Sequence, residues 1–189
     1  MQPTDLSQQD RETLLHTARA SIQYGLQHHQ PAPIEIGGYS KTLQTHCASF
    51  VTLQIHQQLR GCIGTLEAYQ PLIKDVSNHA YAAAFQDPRF SALSKEEETQ
   101  IHIDISVLTP AELLTFNSEV DLIQQIRSGQ DGLILEEGAY KGTFLPSVWE
   151  SLPQTDIFLR HLKQKAGLSP DYWSNTLRVY RYQTIMIEE

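Results

Sequence analysis

The chain has 189 residues, is 40% hydrophobic and carries a formal net charge of −8. That is enough for one sizeable core, and a single domain over residues 1–189 is the expectation. The acidic balance excludes a general binder of the phosphate backbone, which needs a basic face, so no nucleic-acid partner is expected.

In chain order, Ser7 to His28 reads as a helix, with Leu14, Leu15, Ala18, Ile22 and Leu26 on one stripe. Ser7 with Asp10 resembles a capping box. A proline-containing loop and the Gly37-Gly38 turn follow. Cys47 to Ile55 alternates as a half-buried strand, His56-Gln57-Gln58 is the turn, and Leu59 to Leu66 is the returning strand. In that register Cys62 faces Thr52 or Leu53.

Pro71 opens a second helix, apolar along Leu72, Ile73, Val76, Ala80, Ala83 and Ala84. Its run from Ala80 to Ala84 is small enough to let another element pack closely. Asp75 and His79 are neighbours on its surface. Asp87-Pro88-Arg89-Phe90 ends it, and Ser94 with Glu97 caps one further turn. Ile101 to Leu108 is the clearest strand: isoleucines and Val107 on one face, His102, Asp104 and Ser106 on the other.

The spacing predicts a helix over 118–127 and a hairpin from Leu133 to Leu145. It also predicts a helix capped by Asp156 that runs to Ala166, with Gly167 as its terminator. Arg160, Lys163 and Lys165 on that helix read as a solvated face. Ser169-Pro170 begins a turn containing Trp173, and Leu177 to Ile187 reads as one long last strand. Hairpins and helices without regular βαβ alternation give α+β, with a mostly antiparallel sheet and flanking helices. The start of the chain is polar, without a visible secretory signal, and no apolar run reaches membrane-spanning length. A cytoplasmic location without membrane contact is therefore expected, with Cys47 and Cys62 reduced.

The chemistry concentrates at Leu59-Arg60-Gly61-Cys62-Ile63-Gly64. Glycines flank one of two cysteines, and strand alternation puts Arg60 and Cys62 on one face. Cys62 reads equally as a nucleophile and as a small buried thiol; His79, His102 and His46 are the candidate bases. Arg60 reads equally as a thiolate or anion stabiliser and as a strand arginine paired with a carboxylate. Asp87 and Arg89 either hold a substrate group or lock the end of the helix, and the lock is favoured because helix C-termini need partners. His102, Asp104 and Ser106 resemble an acid–base array, against a polar solvent face as the plainer reading. No metal-ligand spacing, P-loop or dinucleotide fingerprint occurs, and nothing names a cofactor.

LRGCIG at Leu59–Gly64, DPRF at Asp87–Phe90 and ISVLTP at Ile105–Pro110 together resemble the AMMECR domain family. ASFVTL at Ala48–Leu53, DGL at Asp131–Leu133, LPSVW at Leu145–Trp149 and KAGL at Lys165–Leu168 follow the same order. The resemblance implies a larger and a smaller lobe with a cleft between them, and a functional LRGCIG segment. It also implies a setting beside a Memo-like protein and a radical-SAM protein, as in the AmmeMemoRadiSam system. Family members often carry glycine in the turn that is His56-Gln57-Gln58 here, so the turn shape is expected to differ. The site residues carried forward are Cys62, Arg60 and His79 for catalysis and Gly61, Gly64, Asp87 and Arg89 for substrate binding. The function expected is thiol-dependent catalysis on a small molecule or a protein side chain. The alternative is a non-catalytic protein-binding or adaptor module.

Overall fold

A computed structural model describes residues 6–189. Its fold is α+β, and its antiparallel strands are divided between two four-stranded sheets. The chain forms two compact units, residues 1–109 with 185–189, and residues 110–184.

In the first unit, helix α1 (Gln8–His28) is opened by the expected capping box, Ser7 and Asp10 bonding each other's backbone N–H. Short α2 (Lys41–Gln44) precedes the hairpin of β1 (Ser49–Ile55) and β2 (Gln58–Gly64). Helix α3 (Leu72–Phe85), the single turn α4 (Lys95–Glu98) and strand β3 (His102–Leu108) follow. The sheet runs β2-β1-β3-β8, where β8 is Thr184–Glu188. Period-two alternation turns Val51, Leu53, Ile103, Ile105 and Val107 to one side, all without solvent exposure. There they meet Leu14, Ala18 and Ile22 of α1 and Leu72, Ile73, Val76 and Ala80 of α3. The opposite face of this sheet carries the polar half of the alternation.

The second unit orders its sheet β4-β7-β5-β6, from β4 (Glu112–Leu113), β5 (Gly132–Glu137), β6 (Tyr140–Phe144) and β7 (Arg178–Tyr182). Helices α5 (Glu119–Gln125) and α6 (Thr155–Lys165) accompany it. Trp149 stacks on Phe158 at 3.7 Å, and its indole N–H donates to the Asp131 carbonyl at 2.7 Å. Asp131 is fully buried, and its carboxylate accepts from the Arg127 backbone and guanidinium. Gly167, at φ 89°, ends α6 where a side chain would be strained. The DGL, LPSVW and KAGL segments are thus packing and capping devices.

Three local expectations are corrected. The last strand is two strands in two different sheets, because the alternation from Leu177 to Ile187 does not reveal the break at Gln183. Lys163 is fully buried rather than solvated; its amine reaches Glu119 at 2.5 Å, and its stem lies among Phe158, Leu159 and Leu162. Asp156 lies inside the first turn of α6 and Gln154 stands at the cap without a side-chain bond. The β1–β2 turn places both His56 and Gln57 at positive φ, 53° and 64°.

Strand β2 lies against the backbone of α3. A Cβ built on Gly61 would overlap the Ala83 carbonyl oxygen, which has no rotamer to move away. Replacing Gly61 with valine is therefore expected to destabilise the fold by about 1–3 kcal/mol, the range for overpacking, and to lower the melting temperature. An unchanged thermal transition would contradict the close approach.

Candidate functional site

Strand β2 is an edge strand, and edges leave backbone groups without partners. At Cys62 these groups are taken by the DPRF segment. Asp87 Oδ2 accepts from the Cys62 N–H at 2.9 Å, and Arg89 Nη2 donates to the Cys62 carbonyl at 3.2 Å. The Asp87 side chain is 2% exposed. Its oxygens also accept from Arg89 Nη2 at 2.6 Å, Arg89 Nε at 2.9 Å and the Arg89 N–H at 3.1 Å. With the bond from Cys62, the carboxylate's acceptor sites are filled. The Arg89 guanidinium first, and the Cys62 and Arg89 backbone N–H groups after it, hold the Asp87 carboxyl well below the usual carboxylate range despite burial. The expected lock is present, but it grips strand β2 rather than the helix carbonyls.

Arg60 falls at an irregularity. Leu53 pairs with Gly61 and Gln54 with Leu59, so Arg60 is the extra residue of a β-bulge. The bulge interrupts the alternation behind the expected shared face with Cys62. The guanidinium instead makes a two-point bond to Glu97, at 2.8 and 3.0 Å, and reaches the Ser91 carbonyl at 3.0 Å. It also sits 5.7 Å from the centre of the Phe90 ring, with Arg89 at 5.5 Å. Gly61 and Gly64 serve close packing: a Cβ on Gly64 would overlap the Phe50 ring and the Ser49 carbonyl.

The Cys62 side chain is on the sheet face away from α1 and α3. Cys62 pairs directly with Thr52, as the hairpin register allowed, and the Thr52 hydroxyl donates to Cys62 Sγ at 3.3 Å. Thr52 in turn pairs with Asp104 on β3. Cys62, Thr52 and Asp104 thus form a row across three strands. With neighbouring strands about 4.8 Å apart, the outer two are roughly 10 Å apart at Cα. In the adjacent row Gln54 pairs with His102. Asp104 accepts from Gln54 Nε2 at 2.7 Å and lies 3.3 Å from His102 Nε2. Burial raises the Asp104 carboxyl, His102 and Gln54 oppose the rise, and Glu188 and Glu189 add to it. His102 and Asp104 are thus in contact, on the face that carries the thiol.

His79 lies elsewhere. It is 94% buried on α3, on the opposite side of the sheet, with Nδ1 3.1 Å from Asp75 Oδ2 but out of line for a hydrogen bond. Asp75 is fully buried and accepts from Ser49 Oγ at 2.6 Å and Gln70 Nε2 at 2.9 Å. This network ties α3 to β1. Cys47 is buried beside it, its thiol pushed up to about 11 by burial and then by Asp75. His46 is exposed, bridged to Pro71. Among the described residues no three His, Cys, Asp or Glu side chains converge as a metal site, and no helix is long and apolar enough to cross a membrane. Thr52, Gln54 and Glu97 were not singled out from the sequence as site residues. The strand register carried the first two, and the capping box hid the second role of Glu97.

The AMMECR1 family profile matches residues 15–187. The chain belongs to the AMMECR1 family. Protein MJ0810 of Methanocaldococcus jannaschii is 37% identical over 164 residues, 82% of this chain and 80% of its own length. A protein of Methanothermobacter thermautotrophicus is 36% identical over 195 aligned positions, covering 100% of this chain and 99% of its own. The crystal structure of the uncharacterized protein PH0010 from Pyrococcus horikoshii superposes with a TM-score of 0.79 at 34% identity, covering 93% of this chain and 89% of that one.

In this AMMECR1-family chain the edge lock depends on two depressed carboxyls. Hydrogen bonds from Arg60, then from the Ser94 backbone, bring Glu97 down from 4.5 to about 2. A carboxyl that binds its proton less readily folded than unfolded stabilises fully above its unfolded value and ceases to as pH falls through the folded one. Between pH 4.5 and 2 the wild-type melting temperature should therefore fall, and a Glu97→Gln variant, lower at neutral pH, should show a shallower slope. Identical slopes would remove Glu97 from the lock.

Proposed function

We propose that the protein is a thiol-dependent catalyst whose reacting face is the row Cys62–Thr52–Asp104. One observation carries the reading: the backbone of Cys62, a partly buried residue, is clamped on both its N–H and its C=O, while its sulfur accepts from Thr52. A hydroxyl on the sulfur and a fixed backbone keep the nucleophile in one geometry. The Arg89 guanidinium, held mainly by Asp87, also feels the charge of Cys62.

In this reading the thiol proton passes to solvent and the sulfur lone pair forms a bond to an electrophilic carbon held over Thr52. The electron pair displaced from that carbon goes to its departing atom. That atom takes a proton from His102, whose Nε2 lies 3.3 Å from the Asp104 carboxylate. Arg60 and Glu97 keep the strand edge in place, and Asp87 and Arg89 fix the nucleophile rather than meeting substrate. The substrate is a small molecule or a protein side chain. The family resemblance supports one step in a pathway shared with a Memo-like and a radical-SAM protein.

A docking surface is the second reading, supported by Leu59 and Met186, 44% and 47% exposed beside the same polar row. Alkylation of the native protein separates the two. Iodoacetamide should label Cys62 and spare Cys47 until unfolding, and Thr52→Val should slow the labelling about three- to tenfold, which corresponds to about 1 kcal/mol. Metabolite profiles of cells carrying Cys62→Ser should match those of cells lacking the protein. Labelling only on unfolding, or a Cys62→Ser profile like wild type, would leave the docking reading.

A further inference from the structure

Next to the thiol row the same sheet face opens into a cavity of about 460 Å³, lined by Gln54, Gln57, His102, Asp104 and Glu188. The volume is within the range of small-ligand sites, roughly 300–1,000 Å³. The lining joins two carboxylates, an imidazole and two side-chain amides, and contains no lysine or arginine. Gln54 belongs to the same strand face as Thr52, two residues away, so a molecule in the cavity reaches the row that ends in Cys62.

The negative charge in the cavity lacks a full partner. Asp104 is bonded by the neutral amide of Gln54 and approached by His102, while Glu188 and Glu189 both act on it with like charge. Glu189 is engaged by Arg19 at 2.6 Å, whereas among the described residues Glu188 forms no ion pair with a lysine or arginine. Gln57 brings its side chain to the cavity from a left-handed backbone position in the turn. Its amide oxygen, with that of Gln54, adds neutral acceptors around the carboxylates.

We infer that the cavity formed by Gln54, Gln57, His102, Asp104 and Glu188 binds an organic cation, a protonated primary amine, and holds it beside Cys62. This rests on the proposed reacting face and gives it a substrate class: a molecule with an ammonium group at one end and an electrophilic carbon at the other. The two carboxylates take the charge, and the amide oxygens accept the remaining N–H bonds. An amine of this kind is either a free polyamine or the end of a lysine side chain, and both present the same head group.

The test titrates the full chain with spermidine, with N-acetyl-lysine methylamide and with its uncharged counterpart N-acetyl-norleucine methylamide, followed by calorimetry and by amide chemical shifts. Both cations should bind and move the signals of Gln54, Gln57 and His102, the tighter arm naming the free or the side-chain source. Glu188→Gln, an exposed position whose loss leaves the core intact, should weaken binding about three- to tenfold, and Asp104→Asn should do the same. Glu12→Gln removes the same charge from an exposed turn of α1 and should change nothing, which sets the cavity apart from the general attraction of an acidic protein. Equal binding of the norleucine compound, an equal loss in Glu12→Gln, or no shift at the cavity residues would overturn the inference. Cys62→Ser should bind the amines as wild type does. Lost amine binding with rapid native alkylation would sink the amine site alone, and the converse would sink the thiol reading alone.

Discussion

Everything at the site depends on one buried carboxylate. Asp87 is 2% exposed, and a charge so placed is tolerated only when its oxygens are fully bonded. Arg89 supplies the countercharge and most of the bonds, but one acceptor site is filled from strand β2, by the Cys62 N–H. The stability of the turn after α3 and the position of Cys62 are therefore a single matter. If the strand moves, Asp87 loses a donor it cannot replace from water; if Asp87 is lost, the edge of the sheet is left with a free N–H.

The clamp works because the strand can come close enough to be gripped. Gly61 brings β2 onto the backbone of α3 at Ala83, and the small residues of that helix leave the room. On the same strand, the bulge at Arg60 turns its guanidinium to Glu97, Ser91 and Phe90, a second anchor beside the DPRF segment. Gly61, Cys62, Asp87, Arg89 and Arg60 thus form one mechanical unit around the nucleophile candidate. In that unit the arginines and Asp87 hold, and Cys62 sets its sulfur beside Thr52.

That division explains how much was legible in the sequence. Alternation is a local property, so the core faces of β1 and β3 and the capping boxes at Ser7 and Ser94 followed directly from spacing, which also narrowed the partner of Cys62 to Thr52 or Leu53. The glycines at 61 and 64 suggested a bulge or a close approach, but which residue a bulge leaves unpaired depends on the partner strand, so Arg60 was placed on the wrong footing relative to Cys62. The break between β7 and β8 was invisible for the same kind of reason: both halves alternate, but they join different sheets. His79 and Cys62 are close in sequence terms only through the helix between them, and the sheet that separates their side chains exists only after β1, β2 and β3 pair. Lys163 was misplaced because a lysine at helical spacing reads as solvated until a carboxylate such as Glu119 comes from another helix.

The polar networks on the two sides of this sheet also differ in what they can do. Behind it, Asp75 is committed to its bonds from Ser49 and Gln70, and nearby Cys47 has its thiol raised to about 11, chiefly by burial. In front of it, Cys62 keeps a donor on its sulfur and Asp104 is raised by burial only part-way, with His102 and Gln54 pulling against the rise. The same residue types thus serve as a tie within the core and as a polar row on the opposite face. The strand alternation that assigns each to its face also decides between those roles. A cysteine one position along β2 would have pointed at Ala83 and belonged to the core; at position 62 it belongs to the face.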